Sequence, residues 1–205
     1  MNTLSNDFDR RLLAAAPAGV TVTRQTNAKG VTTLWCTLAD RADLRGAAAL
    51  VKAEGGRLST ITAFQPKPPD PDDDAAPAAE DDAAEPALPI GPIPTGPIID
   101  GHTYELAYHF DLDGDTLTLV VLLPAEGAEV DSLTPLFRNA DWNEREFMEL
   151  YNIRVTGHPD PRRLFIDESV DPAVLERLVP FSTLVNSAST SGLWEKIMAK
   201  KGGQP

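Results

Sequence analysis

The chain has 205 residues, of which 42% are hydrophobic, so it can form one domain with additional segments. Its formal net charge is −13, which argues against a nucleic-acid partner because phosphate binding requires clustered Lys and Arg. Eight acids and no bases lie between residues 70 and 85, so more than half of the charge belongs to that segment. The N-terminal residues are polar, and no apolar run approaches the roughly 20 residues that cross a bilayer. We therefore expect a cytoplasmic protein, in which any association with a membrane must go through a partner.

The single cysteine restricts the cofactors that this protein could hold. Cys36 lies in the apolar run LWCTL, which predicts a buried structural thiol. With one cysteine, the protein can form neither an internal disulfide nor a cysteine-ligated iron–sulfur or zinc site. The sequence therefore offers no cysteine-based cofactor site.

The first 65 residues alternate between helix and strand patterns. A helix is predicted over residues 6–16, where Pro17 ends it, and strands over residues 20–24 and 31–38 form a hairpin. Apolar residues at helical spacing predict a second helix between Asp40 and Gly55, and a third strand follows over residues 58–64.

Residues 66–100 differ in composition from the rest of the chain. Ten of the 18 prolines fall there, mixed with Asp, Glu and Ala and without an aromatic residue. Such a segment buries too little apolar surface to offset its ordering entropy, so we interpret it as a disordered insertion with polyproline-like stretches. A recognition arm is the functional alternative. Its apolar end, residues 88–99, is the part expected to lie on the surface of the fold.

Two strands are predicted over residues 102–112 and 116–123, joined by the hairpin turn Asp113-Gly114. The Asp-rich turn is not an EF-hand, because Thr116 and Leu122 stand where that loop requires Gly and Glu.

Two helices are predicted after this hairpin. Ser132 would cap a short helix through Arg138, and Asp141 would cap a second helix with Glu144 three residues later, in the manner of a capping box. The element order predicts an α+β fold, with helices packed on a mostly antiparallel sheet.

The second helix has two different sides. At 100° per residue, the apolar residues 147, 148, 150 and 151 share the side expected to face the sheet. Arg145, Glu146 and Glu149 fall on the other side with Trp142, and Trp and Arg are the residue types that anchor interfaces. A solvated charged face is the alternative.

The prolines at 159 and 161 make the following loop rigid. We interpret His158 in this loop as a structural histidine that hydrogen-bonds its own loop, with a proton relay as the alternative. Arg162 and Arg163 follow the loop and offer planar donors suited to carboxylates on another surface.

The run of residues 142–165 resembles the signature of the 30-kDa subunit family of respiratory Complex I, the family of the C subunit of NADH:quinone oxidoreductase. The likeness is closest over residues 101–168 and fainter over the first 65. The positions that match are Glu144, Arg145, Glu146, Glu149, Leu150, Tyr151, His158, Arg162, Leu164 and Phe165.

The resemblance implies a cofactor-free subunit that docks on the large catalytic subunit of a membrane-attached electron-transfer complex. That neighbour would be a 49-kDa-type subunit in Complex I, or the hydrogenase large subunit in energy-converting NiFe hydrogenases, beside an Fe–S subunit. Fe–S clusters and the Ni–Fe centre or quinone would belong to those partner subunits. The residues predicted to dock are Trp142, Glu144, Arg145, Glu146, Glu149, His158, Arg162 and Arg163.

The sequence departs from the Complex I form after the signature. Residues 169–205 form a different ending, more like that of the hydrogenase-type relatives, and we interpret them as a docking tail with a terminal helix capped by Ser191. The sequence thus favours an ion-translocating hydrogenase complex, with the C subunit of Complex I as the alternative. A soluble adaptor acting through residues 66–99 and a stand-alone acid–base enzyme using His158, Glu144 and Glu146 are the remaining hypotheses.

Overall fold

The computed structural model describes residues 4, 6–66, 100–167 and 169. The chain divides into two units, Met1–Leu164 and Phe165–Pro205, and the fold described here is that of the first. The predictions for residues 67–99 and for the tail beyond residue 169, including its terminal helix, lie outside the described residues.

A five-stranded sheet forms the centre of the first unit, with strand order β1-β2-β5-β4-β3. The pairs β1–β2, β4–β5 and β3–β4 are antiparallel, and the pair β2–β5 is parallel. The predicted α+β fold with a mostly antiparallel sheet is therefore confirmed. The strands are β1 (Val20–Thr26), β2 (Thr32–Leu38), β3 (Arg57–Phe64), β4 (Thr103–Leu112) and β5 (Asp115–Pro124).

Within the described residues, three α-helices pack on one face of this sheet, because each carries an apolar stripe at helical spacing. They are α1 (Asn6–Ala15), α2 (Leu44–Ala53) and α3 (Ala140–Tyr151), and a short 3-10 turn, Arg41–Asp43, precedes α2. Alternate residues of the strands meet them in one core, for example Cys36, Tyr108 and Leu119. The period-2 and period-3.6 patterns thus predicted most of the ends of these helices and strands to within three residues.

The β4–β5 hairpin turns as predicted at Asp113 and Gly114, which have φ values of 55° and 92°. Positive φ at both central residues fits the right-handed twist of paired strands. Asp115 is buried, and its carboxylate accepts a hydrogen bond from the Thr32 amide at 2.7 Å. That carboxylate therefore joins the start of β5 to the start of β2.

The predicted helix over residues 132–138 is wrong. Residues 134–136 and 138–139 form turns instead, because Pro135 disfavours the helical conformation at the preceding residue, Thr134. The Ser132 hydroxyl accepts from the Thr134 amide at 3.1 Å and donates to Glu144 at 2.6 Å, so it caps this turn and does not begin a helix.

A second, two-stranded sheet was not predicted. It pairs β6 (Glu129–Asp131) in parallel with β7 (Arg154–Thr156). These strands flank α3 in sequence, so their pairing brings the two ends of the segment 129–156 together. Three-residue strands carry too little alternation to be recognised in a sequence.

Cys36 is buried, and burial raises the pKa of its thiol to about 12. Because the thiolate is the nucleophile, its fraction at pH 8 falls by about a thousandfold relative to an ordinary cysteine. We expect no reaction with a chromogenic disulfide reagent in the folded protein at pH 8, and one equivalent of reaction in denaturant. Rapid reaction of the native protein would contradict the buried position.

Candidate docking surface

Helix α3 begins at Ala140, preceded by Asn139, which makes no side-chain cap hydrogen bond. Asp141 lies within the first turn of the helix and is not its N-cap. The predicted capping box is therefore wrong, because Glu144 turns away from its own helix and towards the preceding segment.

The Glu144 side chain is the centre of a buried polar network, and the residue is 0% exposed. Its Oε2 accepts from the Ser132 hydroxyl at 2.6 Å and from the Thr134 hydroxyl at 2.9 Å. Its Oε1 accepts from the Leu133 amide at 2.6 Å. We call this group, Glu144 with residues 132–134, the carboxylate latch. It fastens the segment before α3 to the middle of that helix.

Two opposing effects act on this carboxyl group. Burial raises the pKa of Glu144 above its usual value, because it disfavours the charged form. The hydrogen bonds from residues 132–134 and the proximity of His158 act in the opposite direction and only partly offset it.

His158 contacts the same network from the other side. Its Nδ1 accepts from the Asp160 amide at 3.0 Å, so the predicted structural histidine bonded to its own loop is confirmed. Since Nδ1 accepts, the hydrogen of the ring lies on Nε2. That atom faces Asp141 Oδ1 and Glu144 Oε2, each at 3.5 Å, and the side chain is fully buried.

Arg145 and Glu149 hold the segment that follows the turn. Arg145 Nε donates to the Arg162 carbonyl at 2.8 Å, and one terminal nitrogen donates to the Arg163 carbonyl at 2.7 Å. The Leu164 amide donates to Glu149 Oε2 at 2.7 Å. The Arg145 side chain is only 14% exposed. The charged side of α3 therefore contacts residues 162–164 of the same chain, and we call this contact the arginine clamp.

Arg162 forms an ion pair within the loop. Its Nε and one terminal nitrogen donate to Asp160 at 2.7 and 2.6 Å. The hydrogen bonds from Arg162 lower the pKa of Asp160 to about 2. The Arg162 side chain is largely exposed, so it remains accessible to another surface.

Trp142 is the exposed part of this region, with 67% of the residue accessible. It stands one turn before Glu146, which is half-buried. A large aromatic ring held on a well-anchored helix is the arrangement that anchors protein interfaces. The docking role of the eight predicted residues stays a prediction, but the structure separates them into groups. Trp142 and Arg162 are exposed, whereas Glu144, Arg145 and the His158 side chain are engaged inside the fold.

Ser132, Thr134 and Asp160 are the members of this region that the sequence did not assign correctly. Ser132 was predicted as a helix cap, and the other two were given no role. The pattern Ser-x-Thr-Pro is the signal that was available, because Pro135 disfavours the helical conformation at Thr134.

The described residues offer little basis for metal binding or acid–base catalysis at this site. Among residues 4, 6–66, 100–167 and 169, no three His, Cys, Asp or Glu side chains gather in a group that could hold a metal ion. Glu144 and Glu146 do not share a substrate-facing side, because Glu144 is fully buried while Glu146 is half-buried. Within the same ranges, every helix is too short or too polar to cross a membrane.

The sequence model of the family described as respiratory-chain NADH dehydrogenase, 30 Kd subunit, matches residues 39–182, which is more than half of the chain. The chain belongs to this family. The C subunit of an NADH-quinone oxidoreductase from Rhodopseudomonas palustris is 40% identical over 85 residues, which cover 40% of this chain and 41% of that protein. The J subunit of an NAD(P)H-quinone oxidoreductase from Synechococcus is 56% identical over 39 residues, or 19% of this chain and 22% of that protein. The matched part thus spans less than half the length of these curated relatives.

Two solved structures are also similar to the chain. A trypsin-resistant fragment of Nqo5 is 22% identical with a TM-score of 0.43, over 74% of this chain and 97% of that one. A component of the membrane-bound sulfane sulfur reductase, an archaeal respiratory membrane complex, is 10% identical with a TM-score of 0.46, over 82% of this chain and 79% of that one.

In this member of the 30-kDa subunit family, the residues of the signature run form internal contacts. The triplet 144–146 supplies the buried carboxylate of the latch and the guanidinium of the clamp, and His158 meets the latch from the loop. The regular spacing of these residues therefore has a structural reason: it joins one helix to the segments on both sides of it.

Replacing Arg145 with alanine should open the arginine clamp. Loss of two hydrogen bonds to carbonyls, each contributing roughly 1 kcal/mol, should raise the rate of trypsin cleavage after residues 162 and 163 by about thirtyfold. Arg145→Lys is the matched control for charge, and it should restore the protection only in part because Lys lacks the planar pair of donors. Equal cleavage rates in wild type and Arg145→Ala would contradict the clamp.

Proposed function

We propose that this protein is a cofactor-free structural and assembly subunit of a membrane-bound, ion-translocating electron-transfer complex, in which it docks on the large catalytic subunit. The family match over residues 39–182 carries the proposal. The names of the curated relatives support it, since each is a subunit of a quinone oxidoreductase. The sequence supports the cofactor-free part, because it has a single cysteine.

The geometry of α3 supports a docking role. The carboxylate latch and the arginine clamp hold the helix on both flanks, so its exposed Trp142 needs little ordering when a partner binds. Preorganisation of this kind increases affinity because less side-chain and loop entropy is lost on association. Arg162 adds an exposed guanidinium near the turn, suited to a carboxylate on the partner.

Two complexes fit this role, and different observations favour each. A complex of the energy-converting NiFe hydrogenase type is favoured by residues 169–205, which depart from the usual Complex I ending. The C subunit of an NADH:quinone oxidoreductase is favoured by the names of the curated relatives. In either complex, the Fe–S clusters and the Ni–Fe centre or quinone belong to the large subunit and an Fe–S subunit. The protein then lies on the inner face of the cell membrane through these partners.

The test is to purify the native complex through a tag on this protein and to sequence the proteins that accompany it. A large subunit with two Cys-x-x-Cys pairs assigns the protein to a hydrogenase complex. A cysteine-poor large subunit with quinone reductase activity assigns it to Complex I. Recovery of the tagged protein without any oxidoreductase subunit, from membranes that hold it, would overturn the proposal.

A further inference from the structure

The sheet has a second face, opposite the three described helices. Along β2, β4 and β5, the residues that alternate with the core residues point to this side, and we call it the outer sheet face. Trp35, Ala107 and Val120 form a separate buried cluster there. Trp35 is only 8% exposed. An indole ring on an uncovered sheet face would be far more accessible, so this face has a cover.

The described elements do not account for that cover. The buried apolar residues of α1, α2 and α3 all belong to the other cluster, on the opposite face. No residue of a described helix belongs to the cluster of Trp35. Beside the indole, the His109 ring lies with its centroid 5.9 Å away, and no described helix supplies the rest of the cover.

Two buried polar groups on this face indicate the chemistry of the cover. Trp35 Nε1 and Glu105 Oε1 are buried and have no hydrogen-bond partner within the described part of the chain, and Glu105 is only 5% exposed. Native proteins rarely leave such groups unpaired. His109, on the same face of β4, is already satisfied by the Thr62 and Thr118 hydroxyls at 3.2 and 3.0 Å. The cover must therefore present a hydrogen-bond acceptor to the indole and a donor to the carboxyl group.

We propose that the outer sheet face is the docking surface for residues 88–99 of the same chain. This stretch, LPIGPIPTGPII, is apolar and uncharged. Exposed indoles bind proline-rich segments because such segments present apolar rings and free carbonyl oxygens that accept from the indole N–H. The amides of its Gly, Thr and Ile residues, and the Thr95 hydroxyl, are the donors available for Glu105.

The connection to β4 makes this contact possible. Residue 99 directly precedes Asp100, whose carboxylate accepts from the amides of His102 and Thr103 at the start of β4. Twelve residues in polyproline form span about 37 Å, whereas β2 and β4 are separated by only two strand spacings, about 10 Å. The short tether also gives a high effective concentration. The acidic stretch of residues 70–85 is excluded as the cover, because it would place carboxylates against the buried Glu105.

The experiment uses the full-length protein with Trp142→Phe and Trp194→Phe, so that Trp35 is the only tryptophan. Residues 88–99 are replaced by a Gly-Ser segment of equal length, and in a matched control residues 70–81 are replaced in the same way. We expect the first replacement to shift the Trp35 emission to longer wavelength and to raise acrylamide quenching several-fold, with the far-UV spectrum unchanged. The control should keep the emission and quenching of the parent protein.

A milder variant covers the case in which the replacement fails to fold. Ile93→Asp with Ile98→Asp adds charge to the segment without shortening it, and should raise quenching in the same direction. Unchanged quenching in a folded variant would overturn the proposal. It would also be overturned if truncation after residue 169 exposes Trp35, or if quenching depends on protein concentration. None of these outcomes bears on the proposed function, which rests on the family match and on α3.

Discussion

Replacing Glu144 with alanine is expected to lower the free energy of unfolding by about 3–5 kcal/mol. The substitution removes the acceptor for three donors in residues 132–134 and leaves the Leu133 amide buried without a partner. It also leaves a cavity in a fully buried position. Chemical denaturation of the two purified proteins measures the difference.

Glu146→Ala is the matched control, because that residue is an acid of the same helix that is half-buried and outside the latch. It should change the stability by no more than about 0.5 kcal/mol. Glu144→Gln keeps the size of the side chain and should fall between the two. If Glu144→Ala were as stable as wild type, the latch would have no role in holding α3.

The latch also predicts a dependence on pH. Burial raises the pKa of Glu144 above its usual value of 4.5, so the folded protein holds this proton more tightly than the unfolded protein. Its contribution is therefore full at low pH and is lost as the pH rises from about 4.5 through the raised folded value. The difference in unfolding free energy between wild type and Glu144→Gln should fall over that window. A difference that grows with pH would contradict a raised pKa of Glu144 in the folded protein.

Replacing Trp142 with alanine is expected to weaken binding to the large subunit by about 2–4 kcal/mol, or roughly 30- to 1,000-fold in Kd. The side chain is 67% exposed, so the stability of the isolated fold should change by no more than about 0.5 kcal/mol. Titration of the large subunit with immobilised wild-type and variant proteins measures the first effect, and denaturation measures the second.

Leu13→Ala is the control for a general loss of exposed apolar surface, because Leu13 is a large exposed residue on α1. It should bind the large subunit as wild type does. An affinity of Trp142→Ala within twofold of wild type would remove the aromatic anchor from the proposed interface, whatever complex the protein belongs to.

Several contacts of the site join α3 to segments outside that helix, and the pattern within the helix does not predict them. The spacing placed Trp142, Arg145, Glu146 and Glu149 on the side of α3 away from the apolar stripe, and Trp142 is indeed exposed. Helical periodicity describes a helix about its own axis and says nothing of the segments that pack beside it. Arg145 and Glu149 therefore looked solvent-facing, although residues 162–164 return along that side.

The sequence by itself determined the main helices and strands, the hairpin at Asp113-Gly114 and the buried thiol of Cys36, because each depends on local periodicity or turn chemistry. Only the tertiary structure decided that β5 pairs in parallel with β2, and that the Glu144 carboxylate lies inside the fold. Strand order depends on which surfaces bury the most apolar area together. The burial of a carboxylate depends on donors that other segments bring to it, here residues 132–134.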